Sequence, residues 1–248
     1  MSSSISQAVR DLAEPKLAEF TAKLIPTVDP ERILGVRMPA LRKLAKKLLR
    51  EHPQEVTEFM AAVPHDFQEE DLLHVLLLNE ERDFATWHAE ITDFLPYMTN
   101  WTLTDAVSPA CVKGGKAANL PKLERSCLDW MLDDRVYVQR LGVVVLMSLL
   151  STESFSPEHL QAVAALAGSE EYYVRVAVAW YFAEALARQE RAALPWFALA
   201  DSSGSTDSLG LPAVTLRMAI TKAIESRRIS DELKAELRQI RSTLPRRS

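Results

Sequence analysis

Apolar residues recur at helical spacing along almost the whole chain, and this regularity limits the possible folds more than any other feature. The spacing predicts one helix over 5–25, which contains Pro15, and a second over 38–50, which begins at Pro39. It predicts further helices over 56–62, 69–78, 85–97, 101–111, 121–132, 136–150, 157–166, 172–188, 195–200, 213–226 and 231–244. Only 7 of the 248 residues are glycine, which is few for sheets joined by tight turns. The sequence therefore predicts an all-α chain and disfavours an α/β nucleotide-binding fold.

A recurrence of 36 residues is superimposed on this helical pattern. Tyr137-Val138 and Tyr173-Val174 begin similar apolar stretches, and the same step towards the N-terminus reaches Trp101. A helix pair of this length buries its apolar face by stacking on its neighbours, so we expect an α-solenoid of about six pairs. We expect one curved, monomeric domain over 1–248 with a concave face, a flexible loop at 201–208 and a frayed tail at 245–248.

Charge is distributed unevenly along the chain, although the formal net charge is only −5. The segment 37–50 contains six basic residues and no acid, whereas 51–100 contains twelve acidic residues and the single base Arg82. Two interpretations of the basic segment remain open, a surface that contacts phosphates and an ordinary solvated helix face. The candidate phosphate contacts in this segment are Arg37, Arg42, Lys43, Lys46 and Lys47.

Several other chemistries are disfavoured by the sequence. Cys111 and Cys127 have no metal-site or disulfide spacing, which indicates buried free thiols in a reducing compartment. The histidines are scattered, and Gly114-Gly115-Lys116 is too short to cradle a phosphate, so we expect neither a metal nor a nucleotide cofactor. No signal peptide or membrane-spanning run is found, and we expect a cytoplasmic, nucleoid-associated protein without a membrane partner.

Four residues fall on one helical face when the repeats are superposed. With Trp101, Tyr137 and Tyr173 as the common start, Asp105 lies four residues on, Arg140 three and Trp180 seven. Offsets of zero, three, four and seven share one side of a helix, so in stacked helices these side chains would line one surface. Apolar residues share the same offsets, and the sequence therefore leaves open whether this face is a functional site or partly core.

The same residues resemble a known family in order and spacing. Those that carry the resemblance are Leu34-Gly35-Val36-Arg37-Met38-Pro39-Ala40-Leu41-Arg42, Asn100-Trp101 with Asp105, Val138-Gln139-Arg140 and Ala179-Trp180. From Ile5 to Ser226 the chain resembles the AlkD family of HEAT-like-repeat DNA alkylation repair glycosylases. The resemblance implies excision of cationic alkylpurines, of the 3-methyladenine and 7-methylguanine type, from double-stranded DNA without drawing the base into a pocket. It also implies a catalytic carboxylate at Asp105, an aromatic cradle for the lesion at Trp101 and Trp180, and a phosphate contact at Arg140.

Each of these roles has a structural alternative that the sequence leaves open. Asp105 is then a first-turn acid favoured by the helix dipole, Trp180 a core residue, and Arg140 the ion-pair partner of Asp133 or Asp134. The stretch 25–32 is also too short for the additional helix with which active members of the family enter the minor groove. The alternative function is therefore a catalytically inactive paralogue that acts as a weak DNA-binding or protein-interaction scaffold.

Overall fold

The computed structural model of the protein describes residues 4–113, 117–200 and 209–245. These residues form α-helices and short 3₁₀ helices joined by turns, and the only β-type contact among them is an isolated bridge between Leu199 and Leu211. The predicted all-α fold class is therefore confirmed. The chain divides into two compact units, Met1–Asn119 and Leu120–Ser248.

The first unit is built from helices that pack against helices near them in the sequence. They are α1 (Ser4–Arg10), α2 (Pro15–Leu24), α3 (Met38–Glu51), α4 (Pro53–Ala61), α5 (Gln68–Leu78), α6 (Phe84–Phe94) and α7 (Trp101–Ala106). Helix α3 packs against α5 and α5 against α7, while α4 packs on α3 and α6 on α5. Such stacking of successive helix pairs is typical of a helical-repeat solenoid. Every residue of α5 is buried, so this helix forms the centre of the unit.

The second unit is also built from packed helices. They are α8 (Leu120–Met131), α9 (Val136–Leu146), α10 (Pro157–Ala164), α11 (Tyr172–Arg188), α12 (Glu190–Ala193), α13 (Ala213–Glu225) and α14 (Asp231–Thr243). Helix α11 packs between α9 and α13, and α8 packs on α9. At the crossing of α8 and α9, a Cβ atom on Gly142 would lie 2.6 Å from the carbonyl oxygen of Cys127. Because any other side chain would push the helices apart, Gly142 permits their close approach.

Predicted helix bounds agree best where the signals are local. The helices predicted over 38–50 and 172–188 correspond to α3 and α11. The single helix predicted over 5–25 is wrong, because Pro15 cannot continue a helix and instead begins α2.

Two other predicted helices differ from those in the structure. The helix predicted over 101–111 stops at Ala106, where the Asn79 side chain donates to the Ala106 carbonyl at 2.8 Å and accepts from the Ser108 N–H at 2.7 Å. The helix predicted over 195–200 is also wrong. Its backbone becomes extended after a 3₁₀ turn and bonds to Leu211.

Some predictions fall on parts of the chain that lie outside the described residues. These are the loop at 201–208, the segment 114–116 and all of the predicted tail beyond Pro245. A single curved domain with a concave face, and a monomeric state, stay predictions. Within the described part of the chain, no helix combines the length and the apolar character needed to cross a bilayer.

Candidate functional site

Helix α7 carries two of the predicted site residues, Trp101 and Asp105, and polar side chains fix its first turn. Asn100 caps the helix, since its side-chain oxygen accepts from the Thr102 N–H at 3.0 Å. Gln68, at the start of α5, accepts from the Asn100 amide at 2.8 Å and donates to the Thr102 hydroxyl at 2.9 Å. Asn100 is completely buried. The direction of α7 is therefore set by its contact with α5.

Trp101 is half-buried and attached to the end of α2. Its indole Nε1 donates to the Leu24 carbonyl at 3.0 Å. Its ring packs on the small apolar cluster of Ile25, Val28 and Ile33. Ile25 and Val28 of this cluster lie in the stretch 25–32, where the only helical element of the described backbone is the 3₁₀ turn Pro30–Arg32. The stretch therefore supports one side of Trp101 and leaves part of the ring accessible.

Asp105 lies one helical turn beyond Trp101, on the same side of α7. Its carboxylate is half-buried and accepts from the Thr104 hydroxyl at 3.1 Å. The same hydroxyl has the Trp101 carbonyl as a second acceptor at 3.1 Å, so the two acceptors share its one proton. Asp105 is the fifth of six residues in α7, so the interpretation of a first-turn acid favoured by the helix dipole is wrong, because this end of the dipole is negative.

Arg140 is buried in the second unit, where it connects two neighbouring helices. Only 4% of the residue is exposed, and its Nη1 donates to the Tyr173 carbonyl at the start of α11 at 2.8 Å. The rings of Tyr137 and Tyr173, from the same two helices, have their centroids 5.6 Å apart. Asp133, suggested as a partner of Arg140, accepts two hydrogen bonds from the Arg135 guanidinium, at 2.8 and 2.7 Å.

Trp180 is half-buried in the middle of α11, between the fully buried Ala179 and Tyr181. A core role therefore accounts for only part of its ring. Trp180 and Arg140 belong to the second unit, whereas Trp101 and Asp105 belong to the first. The structure thus places the four residues as two pairs, and their assembly into one site stays a prediction.

The basic residues of α3 form a continuous exposed stripe. Leu41, Ala45 and Leu48 are buried, and the opposite side of the helix presents a row of exposed cations that are three or four residues apart. These cations are Arg42, Lys43, Lys46, Lys47 and Arg50. We call them the α3 stripe. Lys47 and Arg50 have Glu51 as a neighbour, at 4.0 and 2.5 Å.

Arg37, the remaining predicted phosphate contact, is engaged in a bidentate ion pair. Its Nε and Nη2 donate to the two carboxylate oxygens of Glu14, at 2.7 and 2.8 Å. The side-chain hydrogen bond from Arg37 holds the pKa of Glu14 below its usual range. Because the Glu14 carboxylate already neutralises this guanidinium, Arg37 differs from the residues of the α3 stripe.

The main feature that sequence reasoning missed is a buried carboxylate under the turn at 34–36. Glu69 is 3% exposed, and its two oxygens accept from the backbone N–H groups of Leu34, Gly35 and Val36, at 2.9, 2.7 and 3.3 Å. Gly35 has φ of 75°, a conformation that favours glycine. The residues that most resemble the family at this turn therefore have a structural role here.

Two residues further along α5, Asp71 is also buried and structural. It accepts from the Arg32 guanidinium at 3.1 Å, and Arg32 further donates to the carbonyls of His65 and Asp66. Burial, partly offset by Arg32, raises the pKa of Asp71 to about 7. Part of the acidic segment 51–100 is therefore interior rather than surface, which the charge pattern alone did not indicate.

Cys111 and Cys127 are buried and form no disulfide, as predicted, and burial raises the pKa of the Cys127 thiol. The residues at 4–113, 117–200 and 209–245 contain no group of three His, Cys, Asp or Glu side chains placed to hold a metal ion.

Comparison with models of protein families gives a match. The model of a family described as DNA alkylation repair enzyme matches residues 5–223, which is most of the chain. A comparison with curated proteins finds no match. The matched range begins at α1 and ends in α13, so it includes α7, α9, α11 and the turn at 34–36.

Proposed function

The chain belongs to the family of DNA alkylation repair enzymes, and from this premise we propose that it is a DNA glycosylase for cationic alkylated purines. The reaction is hydrolysis of the N-glycosidic bond of lesions such as 3-methyladenine and 7-methylguanine in double-stranded DNA. The observation that carries the proposal is the position of Asp105, half-buried and one helical turn from the fixed, half-buried ring of Trp101.

The chemistry requires only one carboxylate. An N3- or N7-alkylated purine is already positively charged, so it leaves the sugar without protonation by a general acid. Asp105 then stabilises the positive charge that develops on the deoxyribose and orients a water molecule towards C1′. The Thr104 hydroxyl lies 3.1 Å from that carboxylate and helps to orient it.

The tryptophans supply selectivity for charged lesions in this proposal. The face of an indole ring attracts a nearby cation by about 0.5–2 kcal/mol. Because the Leu24 carbonyl and the apolar cluster hold one side of Trp101, its other side is presented in a fixed direction. We assign the accessible part of the Trp180 ring the same role.

The phosphate contacts divide into two kinds. Arg42, Lys43, Lys46 and Lys47 of the α3 stripe are exposed and suited to the DNA backbone. Arg140 is buried, and its bond to the Tyr173 carbonyl fixes the guanidinium that we assign to a phosphate. The contribution of Arg37 is reduced because Glu14 neutralises it.

Base release from methylated DNA tests the proposal. The wild-type protein should release 7-methylguanine, and Asp105→Asn should fold normally but release it at least about 100-fold more slowly, the usual effect of removing one electrostatic catalytic group. Asp129→Asn, at an exposed position on α8, is the matched control and should retain full activity. Equal rates for Asp105→Asn and the wild-type protein would reject the catalytic role.

A second candidate function has one structural observation in its favour. The stretch 25–32 supports Trp101 and contains no α-helix that could enter a groove. A protein that binds damaged DNA weakly without excision would show salt-sensitive DNA association and no base release at any protein concentration. Release by the wild-type protein would exclude this alternative.

A further inference from the structure

A cavity of about 720 Å³ opens in the first unit between α3, α4, α5 and α6. Apart from Lys46, none of the residues in the proposed function lines it. Its volume lies within the range of about 300–1,000 Å³ that is typical of small-molecule sites. The cavity is therefore large enough to bind a small molecule.

The floor of the cavity is apolar. It is formed by aliphatic and aromatic side chains from all four helices, among them Leu49, Val56, Met60, Leu77 and Phe94. Burying an apolar ligand segment against such a floor contributes about 25 cal/mol per Å² of apolar area removed from water. The floor therefore favours a ligand with an extended hydrocarbon part.

One wall of the cavity is acidic. Glu80 and Glu81 lie just beyond the end of α5, and Glu90 and Asp93 lie one turn apart on α6. None of these four carboxylates forms an ion pair with the described residues. Burial raises the pKa of Glu90, and the charges of Glu81 and Asp93 raise it further. The carboxylates therefore repel one another, and a bound cation would relieve this repulsion.

A buried histidine in the floor points to a ligand independently of the acidic wall. His74 is 4% exposed and lines the cavity, its Nδ1 lies 2.9 Å from His65 Nε2, and its ring stacks on Phe94. Its second ring nitrogen, Nε2, has no hydrogen bond to the described residues. Burial lowers the pKa of His74 to about 3, so the ring is neutral near pH 7 and does not repel a cation.

The opposite side of the cavity contains positive charge and so limits where a cation can lie. Lys46 and Arg50 border it from α3, and Arg82 lies next to Glu81. The charges that shift the pKa of Glu90 are both acidic, Glu81 and Asp93. A cationic ligand would therefore place its charged groups along α6 and its hydrocarbon part over the floor.

We propose that this cavity binds a linear aliphatic di- or triamine, with ammonium groups at Glu90 and Asp93 and methylene segments over Leu77, Met60 and Phe94. A polyamine alternates charged groups with short apolar segments, which matches an acidic wall beside an apolar floor. His74 Nε2 lies in the floor as a hydrogen-bonding group for a bound amine. The proposal is independent of base excision.

Calorimetric titration of the full chain with spermidine at low salt, without DNA, tests the proposal. The wild-type protein should show saturable binding at one site. The double variant Glu90→Gln/Asp93→Asn should bind at least tenfold more weakly. The matched control Glu232→Gln/Glu236→Gln removes the same charge from exposed positions on α14 and should change the affinity less than twofold.

Two further measurements separate the cavity from general attraction of a polycation to an acidic protein. Ala61→Trp, at an exposed position on the cavity rim, should reduce the affinity at least tenfold by filling the cavity without altering charge. The neutral 1,8-octanediol should not compete with spermidine. Absence of saturable binding, equal weakening in the two double variants, or unchanged binding by Ala61→Trp would each overturn the proposal.

Discussion

At the scale of single residues, Glu69 shows how one side chain can fix a turn that is distant in sequence. The turn at 34–36 presents three backbone N–H groups to the interior, and each needs an acceptor there. A carboxylate with two oxygens can satisfy all three, whereas a neutral amide offers one oxygen and adds two donors. At Gly35, a Cβ atom would lie 2.3 Å from the Ala18 backbone nitrogen, so the turn has no room to adjust.

Glu69→Gln should therefore destabilise the protein. We expect a decrease of about 1–3 kcal/mol in the free energy of unfolding, because a buried N–H group is left without its acceptor. Urea unfolding followed by circular dichroism measures this decrease. Glu19→Gln, at an exposed position on α2, is the control and should change the free energy of unfolding by less than about 0.5 kcal/mol. Similar values for the two variants would contradict the role assigned to Glu69.

The sequence does not reveal this role, because the partners of Glu69 are 33 to 35 residues away. Its local context shows an acidic residue at the start of a helix, which is an ordinary surface feature. By contrast, the cap at Asn100 has its partner two residues away at Thr102 and can be predicted from the sequence. Hydrogen bonds between residues close in sequence can be predicted from the sequence, whereas those between distant residues cannot.

At the scale of helices, α5 and the residues just before it contain buried groups whose pKa values are shifted in opposite directions. His74 stacks on Phe94 with ring centroids 3.9 Å apart, and His65 stacks on Phe59 with centroids 4.3 Å apart. Burial lowers the pKa of both histidines, so the folded state keeps them neutral where the unfolded chain would be protonated. For His74, the free energy of unfolding is therefore unaffected by this shift above pH 6.5 and decreases as the pH falls from 6.5 towards about 3.

His74→Phe should make the protein less sensitive to acid, because phenylalanine retains the stacking on Phe94 but cannot titrate. Below pH 6.5, the free energy of unfolding of the wild-type protein should fall relative to that of the variant by up to about 1.4 kcal/mol per pH unit. Urea unfolding at a series of pH values measures this slope. Parallel curves for the two proteins would show that His74 does not titrate on unfolding.

Asp71 provides a test of the opposite sign on the same helix. Its pKa is raised from 3.8 to about 7 by burial, so the folded state binds the extra proton and loses stability as the pH rises through this range. In Asp71→Asn this effect should be absent, since asparagine does not titrate. The difference between wild type and variant should therefore change with pH in the direction opposite to that for His74→Phe. The same unfolding series tests this prediction.

Helix bounds were predictable to the extent that their causes are local. The signals for α3 include Pro39 in its first turn, and those for α11 lie in its own apolar periodicity. The early end of α7 depends on Asn79, whose side chain binds the backbone at Ala106 and Ser108 from another helix pair. The periodicity of 101–111 contains no sign of that contact.

At the scale of the whole molecule, the net charge of −5 conceals a separation of charge that bears on DNA binding. The α3 stripe is exposed, while the acidic Glu69, Glu70 and Asp71 are buried. Removing a cation that neutralises a DNA phosphate makes binding less dependent on salt. The slope of log K against log salt concentration becomes shallower by about 0.9 for each phosphate that the protein no longer neutralises.

Arg42→Ala/Lys43→Ala should therefore weaken DNA binding and reduce the steepness of its salt dependence by about 1.8, if both residues contact phosphates as proposed. Fluorescence anisotropy with a labelled duplex at several salt concentrations measures both effects. Arg227→Ala/Arg238→Ala removes two exposed cations from the second unit and serves as the control. Equal changes in the two variants would remove the α3 stripe from the proposed interface.

The repeat architecture was predictable because similar apolar stretches recur at an interval of 36 residues along the chain. The candidate site was predictable only in part. The sequence identified four residues on one helical face, yet the burial of Arg140 and the pairing of Arg37 with Glu14 depend on contacts between helices. Side chains that are equivalent in sequence can thus end in different environments.

The bond between the Trp101 indole and the Leu24 carbonyl has a practical consequence for work with the purified protein. Because it joins residues 77 positions apart, the placement of this ring depends on helix α2 being intact and correctly folded. A truncation that removes part of α2 would disturb the ring although no residue near α7 had been altered. Protein prepared for functional assays therefore needs a complete α2.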